Sequence, residues 1–135
     1  MKKKRNPQIV VAAVIENAGR VLIGRRKVGK QHAGKWEFPG GTLEEGESRE
    51  ECLKRELSEE LGIVVEVEKQ LCTCSHTYTP EWTIQLEAYF VTVIGGTFVL
   101  QDHDKLMWVH PEELSDFDFT ETDRAVIEVL RNSGN

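Results

Sequence analysis

The sequence lacks a long apolar segment, a cluster of metal-binding cysteines or histidines, and any repetitive tract. No apolar run approaches the roughly 20 residues of a membrane-spanning helix, and the N-terminal stretch MKKKRNPQ has no apolar secretory signal. The 3 cysteines and 4 histidines show no zinc-ligand spacing, and an odd cysteine count suits a reducing compartment. These absences predict one cytoplasmic domain over residues 1–135, with no membrane partner.

The charge balance excludes a second class of partner. Acidic residues outnumber basic ones, so the formal net charge is −6, and we expect no nucleic-acid polymer as a partner. The basic N-terminus is interpreted as a frayed, solvated tail over residues 1–7, with a nucleic-acid-binding arm as the alternative. Monomer and homodimer both remain open.

Hydrophobic patterning predicts a chain of alternating strands and helices. Val- and Ile-rich runs, turn residues and a late helical pattern indicate the order of the elements. Strands are expected at residues 8–16, 20–26, 36–38, 63–74, 83–93 and 106–109, with a polar loop at 76–81 and a closing helix at 120–131. Helices on either side of a mixed β-sheet follow from this order, which places the chain in the α/β class.

The most constrained segment runs from Gly41 to Ile63 and reads GTLEEGESREECLKRELSEELGI. A glycine is followed after five residues by Glu47, and seven residues later comes the run RELSEELGI. Residues 47–61 contain no glycine or proline, so they predict one helix of about four turns that stops at Gly62. Leucines at positions 53, 57 and 61 recur every fourth residue and form its buried stripe.

Three carboxylates border that apolar stripe. Glu56 and Glu60 lie one above the other on the predicted helix, with Glu59 beside them. Crowded carboxylates repel one another, and hard divalent cations such as Mg²⁺ relieve that repulsion by binding to carboxylate oxygens. The alternative is a solvated acidic face with Lys54 and Arg55 as counterions.

The segment resembles the signature of the Nudix hydrolases. That signature is a glycine, five residues, a glutamate, seven residues, and then R-E-U-x-E-E-x-G-U, where U is a bulky aliphatic residue. Every fixed position is filled here. The runs at residues 22–26, 35–41 and 102–108 are similar to the MutT branch, which cleanses nucleotide pools, and equally to bacterial cytidine triphosphate pyrophosphohydrolases. The resemblance implies the Nudix α/β/α sandwich, a mixed β-sheet flanked by helices.

The resemblance also implies an activity and a metal site. The activity is hydrolysis of nucleoside or deoxynucleoside triphosphates to the monophosphate and pyrophosphate, with oxidised guanine or cytidine nucleotides as substrates. The cofactor would be Mg²⁺, with Mn²⁺ as a substitute. The metal ligands would be the Gly40 carbonyl and the carboxylates of Glu56, Glu59 and Glu60.

Further catalytic positions are implied in the same way. Glu47 and Arg55 would pair and hold the catalytic carboxylates in place. The family's additional acidic residue falls at Asp102, where members often have glutamate; the alternative is a turn-forming loop aspartate. Glu56, Glu59 and Asp102 all remain candidates for the general base.

Five residues are expected to contact the nucleotide. Arg26, with Arg25 as its neighbour, occupies the position where the branch contacts phosphate or base, and Phe38 matches the base pocket. Asp123 matches the position that meets the base edge, although an acidic N-terminal helix cap is the competing interpretation. Trp82 departs from the basic residue common in this branch and adds a stacking surface.

Two other functions stay open at this level. One is hydrolysis of another nucleoside diphosphate linked to a further moiety, such as ADP-ribose. The other is a Nudix-fold module that binds a nucleotide without cleaving it; loss of a signature carboxylate would mark such a module, and none is lost.

Overall fold

The computed structural model describes residues 7–133, which form seven strands, two α-helices and one 3₁₀ helix. Of the predicted basic tail at residues 1–7, only Pro7 lies within the described range. No helix in that range is long and apolar enough to cross a membrane. The elements are β1 (Gln8–Asn17), β2 (Arg20–Arg26), β3 (Trp36–Glu37), β4 (Gly40–Thr42), α1 (Arg49–Leu61), β5 (Ile63–Thr79), β6 (Trp82–Gly96), β7 (His103–Val109), the 3₁₀ helix (Pro111–Asp116) and α2 (Glu121–Ser133).

The strands form one mixed sheet with β1 at its centre. Strand β1 runs parallel to β6 and antiparallel to β2 and β4. Strand β5 pairs antiparallel with β6 at one edge, and β7 pairs antiparallel with β2. The order β3-β2-β1-β6-β5 therefore carries both parallel and antiparallel neighbours, as expected for a mixed sheet.

Two hydrophobic cores lie on opposite faces of this sheet, because side chains alternate along β1. Val11, Ala13 and Ile15 pack with the leucine stripe of α1, whereas Ala12 and Val14 pack on the side of α2. The central strand is thus buried on both faces. The resulting layers, helix on sheet on helix, match the predicted sandwich.

Helix α1 begins two residues later than predicted. Ser48 is the N-cap; its side chain accepts from the backbone N–H of Glu51, whose carboxylate in turn accepts from the Ser48 N–H. Glu47 therefore precedes the helix, and its carboxylate pairs with Arg55. The predicted stop is present, since Gly62 has the left-handed φ of 71°.

The hairpin of β5 and β6 is longer than predicted, and this changes the site. The expected polar loop at 76–81 is mostly strand, with only Pro80 and Glu81 in the turn. Thr77 pairs with Thr83, and their hydroxyls lie 3.0 Å apart. Polar alternation on an exposed edge strand looks like a loop in the sequence, but here it continues the ladder and carries the hairpin tip towards α2.

Candidate functional site

A cleft of about 210 Å³ opens beside the central strand, between the hairpin tip and the start of α2. Its floor is formed by β1 and the backbone of β4, and its walls come from β2, β3, the hairpin and α2. Four of the predicted site residues line it: Arg26, Phe38, Gly40 and Asp123. Residues far apart in the chain therefore meet in one cavity.

Asp123 lies at the inner wall of this cleft and is buried. Its Oδ2 accepts a hydrogen bond from the backbone N–H of Phe38 at 3.1 Å, which ties α2 to the segment between β3 and β4. Burial raises the pKa of Asp123 to about 7, and the nearby charge of Glu37 adds to the shift. A carboxylate that titrates near neutrality can accept hydrogen bonds when ionised and donate one when protonated.

Arg26 enters the cleft from the end of β2. Its Nη1 donates to both carboxylate oxygens of Glu37, at 3.1 and 3.0 Å, and its Nε donates to the Gln31 carbonyl. Its neighbour Arg25 is held elsewhere, with Nε 2.7 Å from Asp104 and its guanidinium 5.8 Å from the Trp36 ring centroid. Of the two arginines, the structure brings only Arg26 to the cleft.

Three glutamates of the signature gather around Arg55. Its guanidinium donates to Glu47 at 2.6 and 3.1 Å, to Glu56 at 2.7 Å and to Glu59 at 3.4 Å. The Glu47–Arg55 pairing that we predicted is thus present, and Arg55 lowers the pKa of Glu47 to about 2. The longest of these contacts belongs to Glu59, whose side chain is 63% exposed.

Glu60 differs from its neighbours because it is buried against the sheet. Its Oε1 has no hydrogen-bond partner among the described residues. Burial raises its pKa to about 10, and Glu56, Glu37 and Asp102 contribute to the same shift through their negative charges. A buried carboxylate among other carboxylates, with one oxygen unsatisfied, has the chemistry of a divalent cation site.

Two glycines let β4 pack closely, Gly40 against the backbone of β1 and Gly41 against the Glu56 carboxylate. Gly40 has a φ of 153°, and a side chain there would collide with the Val11 carbonyl. A Cβ on Gly41 would lie 2.3 Å from the Glu56 carboxylate. The glycine at residue 41 therefore lets the backbone of β4 lie against the Glu56 carboxylate, next along the chain from Gly40 in the cleft lining.

Asp102 is not among the residues that line the cleft. Its carboxylate pairs with Lys30 at 3.0 Å, although its charge still acts on Glu60. Among the described residues, no three His, Cys, Asp or Glu side chains are close enough together to hold a metal ion as they stand. Arg55 lies among the carboxylates, so a cation would compete with its contacts while giving Glu60 the partner that it lacks.

Sequence reasoning did not single out several polar and aromatic residues that line the cleft. Glu37, Tyr78 and Thr122 line the cleft, whereas Trp82 is not in its lining. Trp82 instead stacks on Tyr78, with ring centroids 4.5 Å apart, and donates to Gln8 at 3.0 Å. On the hairpin, the aromatic residue that lines the cleft is Tyr78, whose hydroxyl lies 2.9 Å from the Thr122 hydroxyl.

Only part of this could have been read from the chain. Glu37 stands within the segment KWEFPGG that carries the resemblance, which is a usable signal. Tyr78 and Thr122 carry no such signal, because only the full length of the hairpin brings them together.

Known proteins resemble this chain over most of its length. A family model described as NUDIX domain matches residues 5–130. The CTP pyrophosphohydrolase of Escherichia coli strain K12 is 36% identical over 121 residues, covering 90% of this chain and 89% of that protein. The 8-oxo-dGTP diphosphatase of Proteus vulgaris is 37% identical over 92 residues, covering 68% of this chain and 81% of that protein.

A solved structure extends the comparison to the fold. The MutT protein from Methanosarcina mazei Go1 matches with a TM-score of 0.81 and 26% identity, covering 100% of both chains. The family and the sandwich fold that the sequence predicted are thereby confirmed. This chain belongs to the NUDIX domain family.

Proposed function

We propose that the protein is a Mg²⁺-dependent nucleoside triphosphate pyrophosphohydrolase of the MutT type. It would convert nucleoside or deoxynucleoside triphosphates to the monophosphate and pyrophosphate, and so cleanse the nucleotide pool. The observation that carries this proposal is the unsatisfied, buried carboxylate of Glu60 beside a cleft lined by Arg26 and Asp123. The names of the two relatives, one acting on CTP and one on 8-oxo-dGTP, support it.

The metal ligands would be the Gly40 carbonyl and the carboxylates of Glu56, Glu59 and Glu60. When bound, Mg²⁺, or Mn²⁺ as a substitute, would neutralise phosphate charge and make an attacking water easier to deprotonate. Arg55 and Glu47 fix the carboxylates before the substrate arrives, because their contacts of 2.6 to 3.1 Å restrict the side chains of the signature.

The general base would be a carboxylate near the metal ligands. Glu56, Glu59 and Asp102 remain the three candidates, and their surroundings differ. Glu56 accepts from Arg55, Asp102 pairs with Lys30, and Glu59 is the most exposed of the three. A base must reach the water proton within hydrogen-bond distance, which favours a carboxylate that is free to move. Glu59 meets that condition best.

The base of the nucleotide would lie between Phe38, Tyr78 and Asp123. The two aromatic rings offer stacking surfaces, with Tyr78 in the place that we predicted for Trp82. An ionised Asp123 accepts hydrogen bonds only, so it suits the N–H groups of guanine or the amino group of cytosine. Arg26 would contact the phosphates.

A single turnover panel tests the proposal. The purified protein is incubated with Mg²⁺ and CTP, dCTP, dGTP, 8-oxo-dGTP or ADP-ribose, and the products are identified by chromatography. We expect the nucleoside monophosphate and pyrophosphate from at least one triphosphate. Cleavage of ADP-ribose alone would replace the proposal with the alternative hydrolase, and binding without turnover would make the protein a nucleotide-binding module.

The Arg26→Ala variant is expected to weaken substrate binding or turnover for every nucleobase alike. A phosphate contact carries no information about the base, so the specificity constants should fall together. Arg25→Ala is the matched control, because the Arg25 guanidinium pairs with Asp104 and neither residue lines the cleft. A loss confined to one base would place Arg26 in the base pocket instead.

The Asp123→Ala variant is expected to collapse the selectivity among bases. It leaves the donors of the preferred base unpaired, at a cost of about 1–3 kcal/mol for that nucleotide and little for poor substrates. It also frees the Phe38 N–H, so the melting temperature should fall. Specificity constants for guanine, cytosine, adenine and thymine triphosphates measure the first effect; an unchanged ranking with a lower melting temperature would leave Asp123 a purely structural role.

Three further features stay predictions. They are one domain over residues 1–135, a monomer or homodimer, and a cytoplasmic location. The shared use of β1 by both cores supports the single domain. Light scattering during size-exclusion chromatography would settle the oligomeric state, and cell fractionation the location.

A further inference from the structure

His103 is a buried histidine that the proposed chemistry does not use. It opens β7, its side chain is fully buried, and its Nε2 lies 2.9 Å from Oε2 of Glu37. The same carboxylate accepts from Nη1 of Arg26 at 3.1 and 3.0 Å. The three side chains therefore form a continuous line from the protein interior to the cleft.

The surrounding backbone is built to admit the imidazole ring. The pairing of β2 with β7 shifts register between Arg25 and Arg26, which sets Arg26 opposite His103. Gly24 lies beneath the ring, and a Cβ at that position would lie 2.6 Å from Cδ2 of His103. A side chain at residue 24 would displace the ring, so glycine keeps the place for it.

The hydrogen bonds of the ring show which contact matters. Nδ1 of His103 is buried without a hydrogen-bond partner in the described part of the chain. Burying a polar nitrogen without a hydrogen bond is costly, and of the two ring nitrogens only Nε2 has a hydrogen-bond partner. Because a carboxylate can only accept, Nε2 carries the hydrogen and donates it to Glu37. The ring is therefore held for its contact with Glu37.

Glu37 occupies a position where small displacements matter. Its charge acts on Asp123, which lines the cleft, and on the buried carboxyl group of Glu60. It also fixes the guanidinium of Arg26 in the cleft wall. A carboxylate held by Arg26 alone could follow that long side chain, whereas one also held by a buried ring cannot.

We propose that His103 is a positioning residue for nucleotide binding, which fixes Glu37 and through it the guanidinium of Arg26. This inference rests on the proposed function for its consequence on catalysis, but the positioning itself can be observed without a nucleotide. Glu37 is the link between the two, so His103 acts without touching the substrate.

The first measurement is made on the ligand-free protein. The side-chain Nε–Hε signal of Arg26 is followed by ¹⁵N NMR in the wild type, His103→Leu and His103→Gln, after assignment with Arg26→Lys. We expect an ordered signal in the wild type, a mobile one in His103→Leu, and an ordered one in His103→Gln, whose amide can still donate to Glu37. An ordered Arg26 in His103→Leu overturns the inference, whatever the activity.

The second measurement uses kinetics with the nucleotide that the turnover panel favours. His103→Leu should raise KM between about 10-fold and about 100-fold for all bases, with a smaller effect on kcat, because a displaced contact weakens binding. His103→Gln should restore most of the affinity, and adding His103→Leu to Arg26→Ala should cost little more. A merely structural role would lower the melting temperature of both His103 variants and leave KM unchanged.

Two outcomes separate this inference from the proposed function. If Arg26 becomes mobile in His103→Leu but the wild type hydrolyses no triphosphate, the proposed function fails and the positioning stands. If the wild type hydrolyses triphosphates and His103→Leu keeps its KM, the inference fails alone. Should His103→Leu not fold, His103→Asn replaces it, since its amide is too short to reach Glu37.

Discussion

Replacing Glu59 by glutamine is expected to lower turnover by about 100-fold or more, the scale for losing a metal ligand or a general base. The change removes the negative charge and keeps the size of the side chain. Glu59 is 63% exposed on α1, and its contact with Arg55 is 3.4 Å long. The fold should therefore tolerate the variant, and its melting temperature should stay close to that of the wild type.

The same helix offers a matched control. Glu50 is also exposed, at 60%, and pairs with Lys54 one turn away at 2.9 Å. Glu50→Gln removes the same charge from the same helix at a distance from the cleft, and full activity is expected. Turnover and its dependence on Mg²⁺ concentration are measured for both variants. Near-normal activity of Glu59→Gln with unchanged Mg²⁺ dependence would remove Glu59 from the site.

The signature helix could be predicted because its information is local. The leucine stripe, the absence of glycine and proline, and Gly62 as the stop all lie within one short segment. Its start was wrong by two residues because the capping box of Ser48 and Glu51 was not recognised, although it too is local. Family membership followed from the same segment.

The wall of the cleft could not be predicted, because it depends on contacts between distant residues. Tyr78 reaches the cleft only because β5 continues to Thr79 and its tip meets Thr122 on α2. In sequence the same stretch is polar and resembles a loop. Trp82 was assigned to the base because its position matches one that the MutT branch places near the base, and in the structure it stacks on Tyr78.

The separate environments of the signature carboxylates were also beyond the sequence. Glu59 and Glu60 are consecutive, so they point about 100° apart on the helix. One is exposed and the other buried against the sheet. The helical pattern placed both at the margin of the apolar stripe, and only the packing of α1 on the sheet distinguishes them. Burial raises the pKa of Glu60, and no local pattern encodes that burial.

Replacing Glu60 by glutamine is expected to stabilise the metal-free protein increasingly as the pH rises. The pKa of Glu60 is about 10 in the folded protein against an ordinary value of 4.5. Between these values the unfolded chain has released a proton that the folded chain retains, so unfolding becomes easier by about 1.4 kcal/mol per pH unit. The stability that Glu60 contributes through its raised pKa is fully present below pH 4.5 and is lost as the pH rises towards 10.

The window from pH 7.5 to 9 isolates the titration of Glu60 from that of Asp123, which is also buried. Asp123 has a pKa of about 7, so it is largely ionised in both states there. Across this window the wild type should lose about 2 kcal/mol more than Glu60→Gln in urea unfolding without metal. Equal slopes for the two proteins would show that Glu60 is ionised in the fold and contradict its placement among uncompensated carboxylates.

A second buried glutamate supplies the control with the opposite sign. Arg49 donates to Glu87 at 2.9 and 3.1 Å and lowers its pKa, so Glu87 stabilises the fold at every pH above its ordinary value. Glu87→Gln should therefore lower stability equally at pH 7.5 and 9 and keep the wild-type slope.

Adding Mg²⁺ then tests the link to function. Mg²⁺ should restore stability to the wild type and to Glu87→Gln, most strongly at pH 9, where fewer protons compete for Glu60. Glu60→Gln should gain much less from Mg²⁺, because glutamine offers the cation no charge; an equal gain in all three proteins would place the cation elsewhere.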